Sequence, residues 1–210
     1  MTQTLDKNTP SLKALFLAAR PKTLTAAFVP VLVGTSLAAA EGASINWLLP
    51  LSALLSALCI QIGTNLINDA LDFKKGADTP ERIGPARITQ QGILTPAQVL
   101  GAGYAFFVFS LLLALPLILA GGFPLLITIL LSIICGYLYT GGPYPLAYVG
   151  LGDLFVILFF GLVATGAVFY VQTGVLAPKA LLAGLQLGML ATVMIAINNL
   201  RDRFSDAKAN

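Results

Sequence analysis

The sequence predicts an all-α protein, a polytopic membrane helical bundle with six transmembrane helices in one domain over residues 1–210. Three observations carry that prediction. Of the 210 residues, 57% are hydrophobic and only 10% are charged, where a soluble domain carries roughly 25% charged residues; mean hydropathy is +0.87. Several apolar runs exceed the ~18 residues that mark a spanning helix. In a six-span threading every Lys and Arg except Lys179 falls on one side, which the positive-inside rule makes cytoplasmic. The predicted location is the plasma (inner) membrane, with the N-terminus on the cytoplasmic side.

Residues 1–10 form a polar tail. The first helix covers residues 11–40, and Arg20-Pro21-Lys22 falls in its first part. The proline there kinks the helix or marks an interfacial half-turn before the span. Glu41-Gly42-Ala43-Ser44 is a short loop. The second helix covers residues 47–71, with Trp47 at an interfacial position and Pro50 in the first turn, where a missing N–H costs least. Residues 72–95 form a charged loop. Thr95-Pro96-Ala97-Gln98 opens the third helix with a cap and a proline at the first helical position. It continues to residue 120, and Gly121-Gly122 turns the chain. The fourth helix covers residues 123–139 and leads into a Gly/Pro/Tyr segment at 140–153. The fifth covers 151–173, a turn follows at 174–179, and the sixth covers 178–200 before a polar end.

Composition excludes several chemistries. The chain has no histidine, so a histidine base or ligand is ruled out. Cys59 and Cys135 sit in apolar runs without CxxC spacing and read as buried free thiols, not a zinc site. The first apolar run lacks a small-residue cleavage site and is followed by further spans, unlike a signal peptide. A net charge of +3 in a membrane protein implies no nucleic-acid partner.

Charge is concentrated in two places, residues 65–87 (NLINDALDFKKGADTPERIGPAR) and residues 198–206 (NNLRDRFSD). On a helix, Asn65, Asn68, Asp69 and Asp72 fall at i, i+3, i+4 and i+7 and share one stripe. Asn198, Asp202 and Asp206 fall at i, i+4 and i+8, with Asn199 beside them. Carboxylates at membrane depth are costly and face a partner or a cavity. Several on one stripe repel each other, and a divalent cation removes that repulsion. All-oxygen ligands from Asp and Asn suit Mg²⁺, which commonly binds through one or two carboxylates plus substrate phosphates. Lys75, Arg82, Arg87 and Arg201 are near enough in sequence to hold remaining phosphate charge. The pattern points to a diphosphate whose other end is a lipid, bound between the two clusters. The plainer reading is a solvated helix end paired with nearby Lys and Arg, and it accounts for one cluster more readily than for two. Asp153 reads as a helix cap. Tyr137, Tyr139, Tyr144 and Tyr148 read as an interfacial belt, or one or two of them line the site with ring faces toward a developing carbocation.

Asn68-Asp69-x-x-Asp72-x-x-Lys75-Gly76-x-Asp78, followed by Arg82-Ile83-Gly84-Pro85-x-Arg87, resembles the first aspartate motif of the UbiA superfamily of intramembrane prenyltransferases. Asn198-Asn199-x-Arg201-Asp202-x-x-x-Asp206 resembles the second. Ala19-Arg20-Pro21-x-Thr23-Leu24, Tyr137-x-Tyr139-Thr140-x-Gly142-Pro143 and Leu151-Gly152-Asp153 also resemble that superfamily's pattern. The Lys-Gly-x-Asp and Arg-Ile-Gly-Pro elements are similar to the branch that prenylates 1,4-dihydroxy-2-naphthoate. The resemblance implies a Mg²⁺-dependent transferase that moves a polyprenyl group from its diphosphate to an aromatic acid. It implies a metal shell of Asn68, Asp69, Asp72, Asp78, Asn198, Asp202 and Asp206, with Asp69, Asp72, Asp202 and Asp206 catalytic. It implies substrate contacts from Lys75, Arg82, Arg87, Arg201, Tyr139, Asn65 and Asn199. The superfamily has nine spans, so this chain is expected to be a C-terminally shortened member. Competing readings are a different acceptor, such as 4-hydroxybenzoate or haem, and a cation-coupled transporter, which sets its acids nearer the bilayer midplane.

Overall fold

The computed structural model of the protein describes residues 11–76, 87–147 and 150–209; the side chains of 11, 12, 198, 199 and 201–209 lie outside the description. Among the described residues every regular element is helical.

The first expected span is broken. α1 (Ser11–Ala18) ends before a 3₁₀ turn, Pro21–Thr23, and α2 (Thr25–Ala40) departs at 51°. Pro21 offers no N–H to continue α1, and Arg20 takes a left-handed φ of 55°. Carbonyls orphaned by such a break need donors at membrane depth, and α3 (Leu48–Lys74) supplies them. Gln61 Nε2 donates to the Thr23 carbonyl at 2.8 Å, and Asn65 Nδ2 to the Ala19 carbonyl at 2.9 Å. α3 runs past residue 71 to Lys74, so Asp72 is helical and not part of the charged loop.

The Thr95 cap forms as a reciprocal box. Thr95 Oγ1 accepts the Gln98 N–H, and the Gln98 side chain accepts the Thr95 N–H. α4 (Pro96–Leu113) stops earlier than expected, because Pro116 forces a restart at Ala114 into α5 (Leu115–Gly121). α6 (Phe123–Leu138) follows. α7 (Gly152–Val156) passes through a π-helical segment, Ile157–Val163, into α8 (Ala164–Thr173), and α9 (Pro178–Ala209) closes the described chain.

Small residues set the closest helix crossings, as they do between membrane helices. α3 and α4 meet at Gly63 and Gly103, where a methyl group on Gly103 would lie 2.7 Å from Ile67 Cγ1. Cys59 and Cys135 are half-buried and free. Three buried clusters fill the bundle. One, built from Ala14, Ala18, Leu66, Ala70, Ile88 and Val99, lies directly beneath the polar end of α3. Outward residues are apolar: Leu119 is 84% exposed and Leu190 66%, as lipid-facing positions require.

α3, α4, Gly152–Thr173 and Pro178–Ile197 are long and apolar enough to cross a bilayer, and the bent α1–α2 pair adds a fifth span if counted as one. The remaining helix of the expected six is α6. Its 16 residues reach only ~24 Å at ~1.5 Å per residue, short of a ~30 Å hydrocarbon core. The multi-span helical architecture therefore stands, with four to five spans by length among the described residues.

Candidate functional site

The C-terminal half of α3 presents Gln61, Asn65, Asn68, Asp69 and Asp72 along a polar stripe in an otherwise apolar helix. Its order is chemical. The amides, which donate, meet the carbonyls of the α1–α2 break. The carboxylates, which accept, meet N–H groups and a guanidinium on the segment that returns toward α4.

That segment is a single helical turn over residues 88–92. The Arg87 carbonyl accepts the Gln91 N–H at 3.1 Å, the Thr89 carbonyl accepts the Gly92 N–H at 3.1 Å, and the Ile88 carbonyl accepts the Ile93 N–H at 3.2 Å. Gly92, at φ +67°, closes it in the left-handed conformation of a Schellman cap. The leading N–H groups, which have no partner inside so short a turn, meet Asp69: Ile88 N–H donates to Oδ2 and Thr89 N–H to Oδ1, each at 3.1 Å. Asp69 is 2% exposed, and Ile88 is wholly buried in the apolar cluster below.

One turn further along α3, Asp72 Oδ2 accepts from Arg87 Nη2 at 2.9 Å, with both side chains buried. Lys75 Nζ donates to the Thr140 carbonyl at 2.6 Å, tying the end of α3 to the chain after α6. Asn68 is half-buried, and its side chain makes no hydrogen bond to another described residue. Tyr139, just past α6, faces Arg20, Asp153 and Asp72. Burial raises its hydroxyl pKa, Arg20 pulls it down, and Asp153 and then Asp72 push it up again. The end of α3, the α1–α2 break, the 88–92 turn and the chain around Tyr139 thus enclose one polar region. Tyr137 stacks on Tyr104 with centroids 6.4 Å apart, and Tyr144 is exposed.

Asp78, Arg82 and Tyr148 lie outside the described residues. Asn198, Asn199, Arg201, Asp202 and Asp206 belong to α9, whose helix runs on to Ala209, so Asn198, Asp202 and Asp206 keep their i, i+4, i+8 register. Topology places this cluster relative to the first. Lys179, at the start of α9, pairs with Glu41 at the end of α2, while the α1–α2 break that precedes α2 meets Gln61 and Asn65. From Lys179, α9 climbs about 29 Å to Asn198 at ~1.5 Å per residue, reaching the end of the bundle where α3 terminates.

Three contributors are not among the expected site residues. Gln61 is one turn before Asn65, and its signal is a lone amide in an apolar helix. Arg20 lies in the Ala19-Arg20-Pro21 element already singled out, but nothing in the sequence assigns it to the site. The 88–92 turn has no charge of its own, and only Gly92 signals it. Among the described residues no three acidic, Cys or His side chains converge. Asn68 and Asp72 are hard oxygen donors, and that set fits Mg²⁺ shared with substrate phosphates. Asp69 stands apart, because it is 2% exposed and each of its oxygens accepts a backbone N–H from the 88–92 turn.

Residues 27–210 match the UbiA prenyltransferase family, and the protein belongs to it. Curated relatives specify the class further. The chain is 42% identical over 193 residues to a 1,4-dihydroxy-2-naphthoate octaprenyltransferase from Escherichia coli (strain K12), covering 89% of this chain and 62% of the relative. It is 37% identical to the protein of that name from Bacillus subtilis (strain 168), covering 90% of this chain and 60% of the relative. A UbiA prenyltransferase domain-containing protein 1 from Xenopus tropicalis is 32% identical, with 92% and 56% covered. The chain thus spans about three fifths of the length of these relatives.

Proposed function

We propose that this protein transfers a polyprenyl group from polyprenyl diphosphate to 1,4-dihydroxy-2-naphthoate with decarboxylation, giving demethylmenaquinol, the hydroquinone form of demethylmenaquinone, in menaquinone biosynthesis. The observation that carries the reading is the 42% identity to a relative named for that acceptor, across 89% of the chain. The buried polar region in a lipid-facing bundle supports it, because it offers oxygen ligands and cations to a diphosphate beside apolar walls suited to a prenyl tail.

Asn68, Asp72 and Asp78 from the first cluster, with Asn198, Asp202 and Asp206 from the second, hold the metal. Mg²⁺, when bound, supplies neutralising charge to the diphosphate and its leaving pyrophosphate. Arg87, Arg82, Lys75 and Arg201 grip pyrophosphate oxygens or the acceptor carboxylate. Asn65 and Asn199 orient these groups. The allylic C–O bond breaks with its electron pair leaving on pyrophosphate. The freed carbon bonds to the ring carbon that bears the carboxylate. Carbon dioxide departs and returns its bonding pair to the ring. Tyr139, half-buried beside this region, turns its ring toward the developing positive charge. The basic residues on this side support placement at the cytoplasmic face of the plasma membrane.

The test offers the full-length protein, in membranes, a labelled polyprenyl diphosphate with each of several aromatic acids. Label should enter dihydroxynaphthoate. Turnover of 4-hydroxybenzoate with none of dihydroxynaphthoate would overturn the acceptor assignment.

A further inference from the structure

We infer that Asp69 is a positioning residue and not a metal ligand: its carboxylate clamps the 88–92 turn, and the turn holds Arg87 on Asp72. The inference rests on the prenyltransferase reading for its kinetic consequence, and on geometry alone for its structural one.

The clamp has a chemical requirement. Two successive N–H groups, Ile88 and Thr89, point the same way and need two acceptors side by side. A carboxylate provides them. An asparagine would keep one acceptor and set its own NH₂ against the second N–H. The charge also suits the positive end of the turn. Each oxygen accepts one backbone N–H and the residue is 2% exposed, so its remaining lone pairs face packed protein, and entry of Mg²⁺ with its near-octahedral shell at ~2.0–2.1 Å would require the turn to move.

The turn then acts on the site. Arg87 is the residue before Ile88, and its carbonyl closes the turn through Gln91 N–H. Ile88 plugs the cluster of Ala14, Ala18, Leu66, Ala70 and Val99. With the capped amides above and the plug below, the backbone at Arg87 has one place to be, and its Nη2 lies 2.9 Å from Asp72 Oδ2. Two neighbouring aspartates of one motif therefore have different tasks. Asp72 faces the ligands, and Asp69 fixes the loop that brings the cation to them.

The experiment uses the full-length protein in nanodiscs, with Asp69→Asn, Asp72→Asn and Thr89→Pro. Thr89→Pro deletes one donor from the turn and leaves every carboxylate in place. The first readout is amide exchange without substrate. Asp69→Asn should speed exchange at residues 88–89 by about tenfold or more, the size expected for losing a charge-assisted bond, with α4 unaffected. The second is the Mg²⁺ dependence of prenyl transfer. Asp69→Asn and Thr89→Pro should each lower kcat by about tenfold or more, as misplacement of a binding group does, at an unchanged Mg²⁺ half-saturation. Asp72→Asn should raise that half-saturation by about tenfold or more. Unchanged exchange in Asp69→Asn, full kcat in Thr89→Pro, or a Mg²⁺ requirement raised by Asp69→Asn but not by Thr89→Pro would overturn the inference. If the unsubstituted protein transfers no prenyl group, the proposed function fails, and the exchange result alone decides Asp69.

Discussion

The two ends of this bundle use the same residue types to opposite effect. At one end Glu41 pairs with Lys179, with their side chains 46% and 44% exposed. There Asn46 and Gln172 exchange hydrogen bonds of 3.1 Å in each direction at the surface. At the other end Asp72 pairs with Arg87, Asp69 caps a turn, and Gln61 and Asn65 cap a helix break, all wholly or partly out of water. An exposed ion pair contributes little, since water and salt screen it. A buried pair is costly to form and more costly to break, because the survivor is left charged and dry. The first end holds helices together cheaply. The second keeps charged and polar groups paired out of water, the arrangement that the proposed function assigns to a site.

Substitutions can break this contrast in order of severity. Arg87→Ala removes the buried guanidinium from Asp72 and should cost about 3–5 kcal/mol, read from denaturant unfolding in detergent, and should abolish prenyl transfer. Ile88→Ala removes the plug below the turn and should cost about 2–5 kcal/mol, with prenyl transfer reduced as Arg87 loses its seat. Gln61→Ala strands the Thr23 carbonyl and should cost about 1–3 kcal/mol, visible as a lower thermal midpoint. Lys179→Ala, at the exposed end, should change stability by less than about 1 kcal/mol and leave transfer intact. A loss there as large as that of Arg87→Ala would erase the distinction between the two ends.

Much of this was legible in the sequence for stated reasons. Helices follow from long apolar runs, the Thr95-Pro96-x-Gln98 cap forms as written, and Arg20-Pro21-Lys22 marks a real break. Motif spacing places Asp69 and Asp72 on one helix. Spacing does not show what each carboxylate touches. Asp69 and Asp72 look equivalent in a stripe, yet their partners lie at residues 87–89, in a stretch whose pairing is tertiary. The division at Ala114 was missed because hydrophobicity continues across it, and hydropathy does not register a restart at proline. α3 runs longer than the sequence suggests because Asp72 looks like a loop residue until its burial and its pairing with Arg87 are known.

The most direct test of the central claim is prenyl transfer by the full-length protein, from labelled polyprenyl diphosphate to 1,4-dihydroxy-2-naphthoate, with and without Mg²⁺ and in Asp72→Ala and Asp202→Ala. Transfer should occur with Mg²⁺, cease on chelation, and be absent from both variants while they remain inserted in the membrane. Transfer that persists without a divalent cation and in both variants would contradict the account.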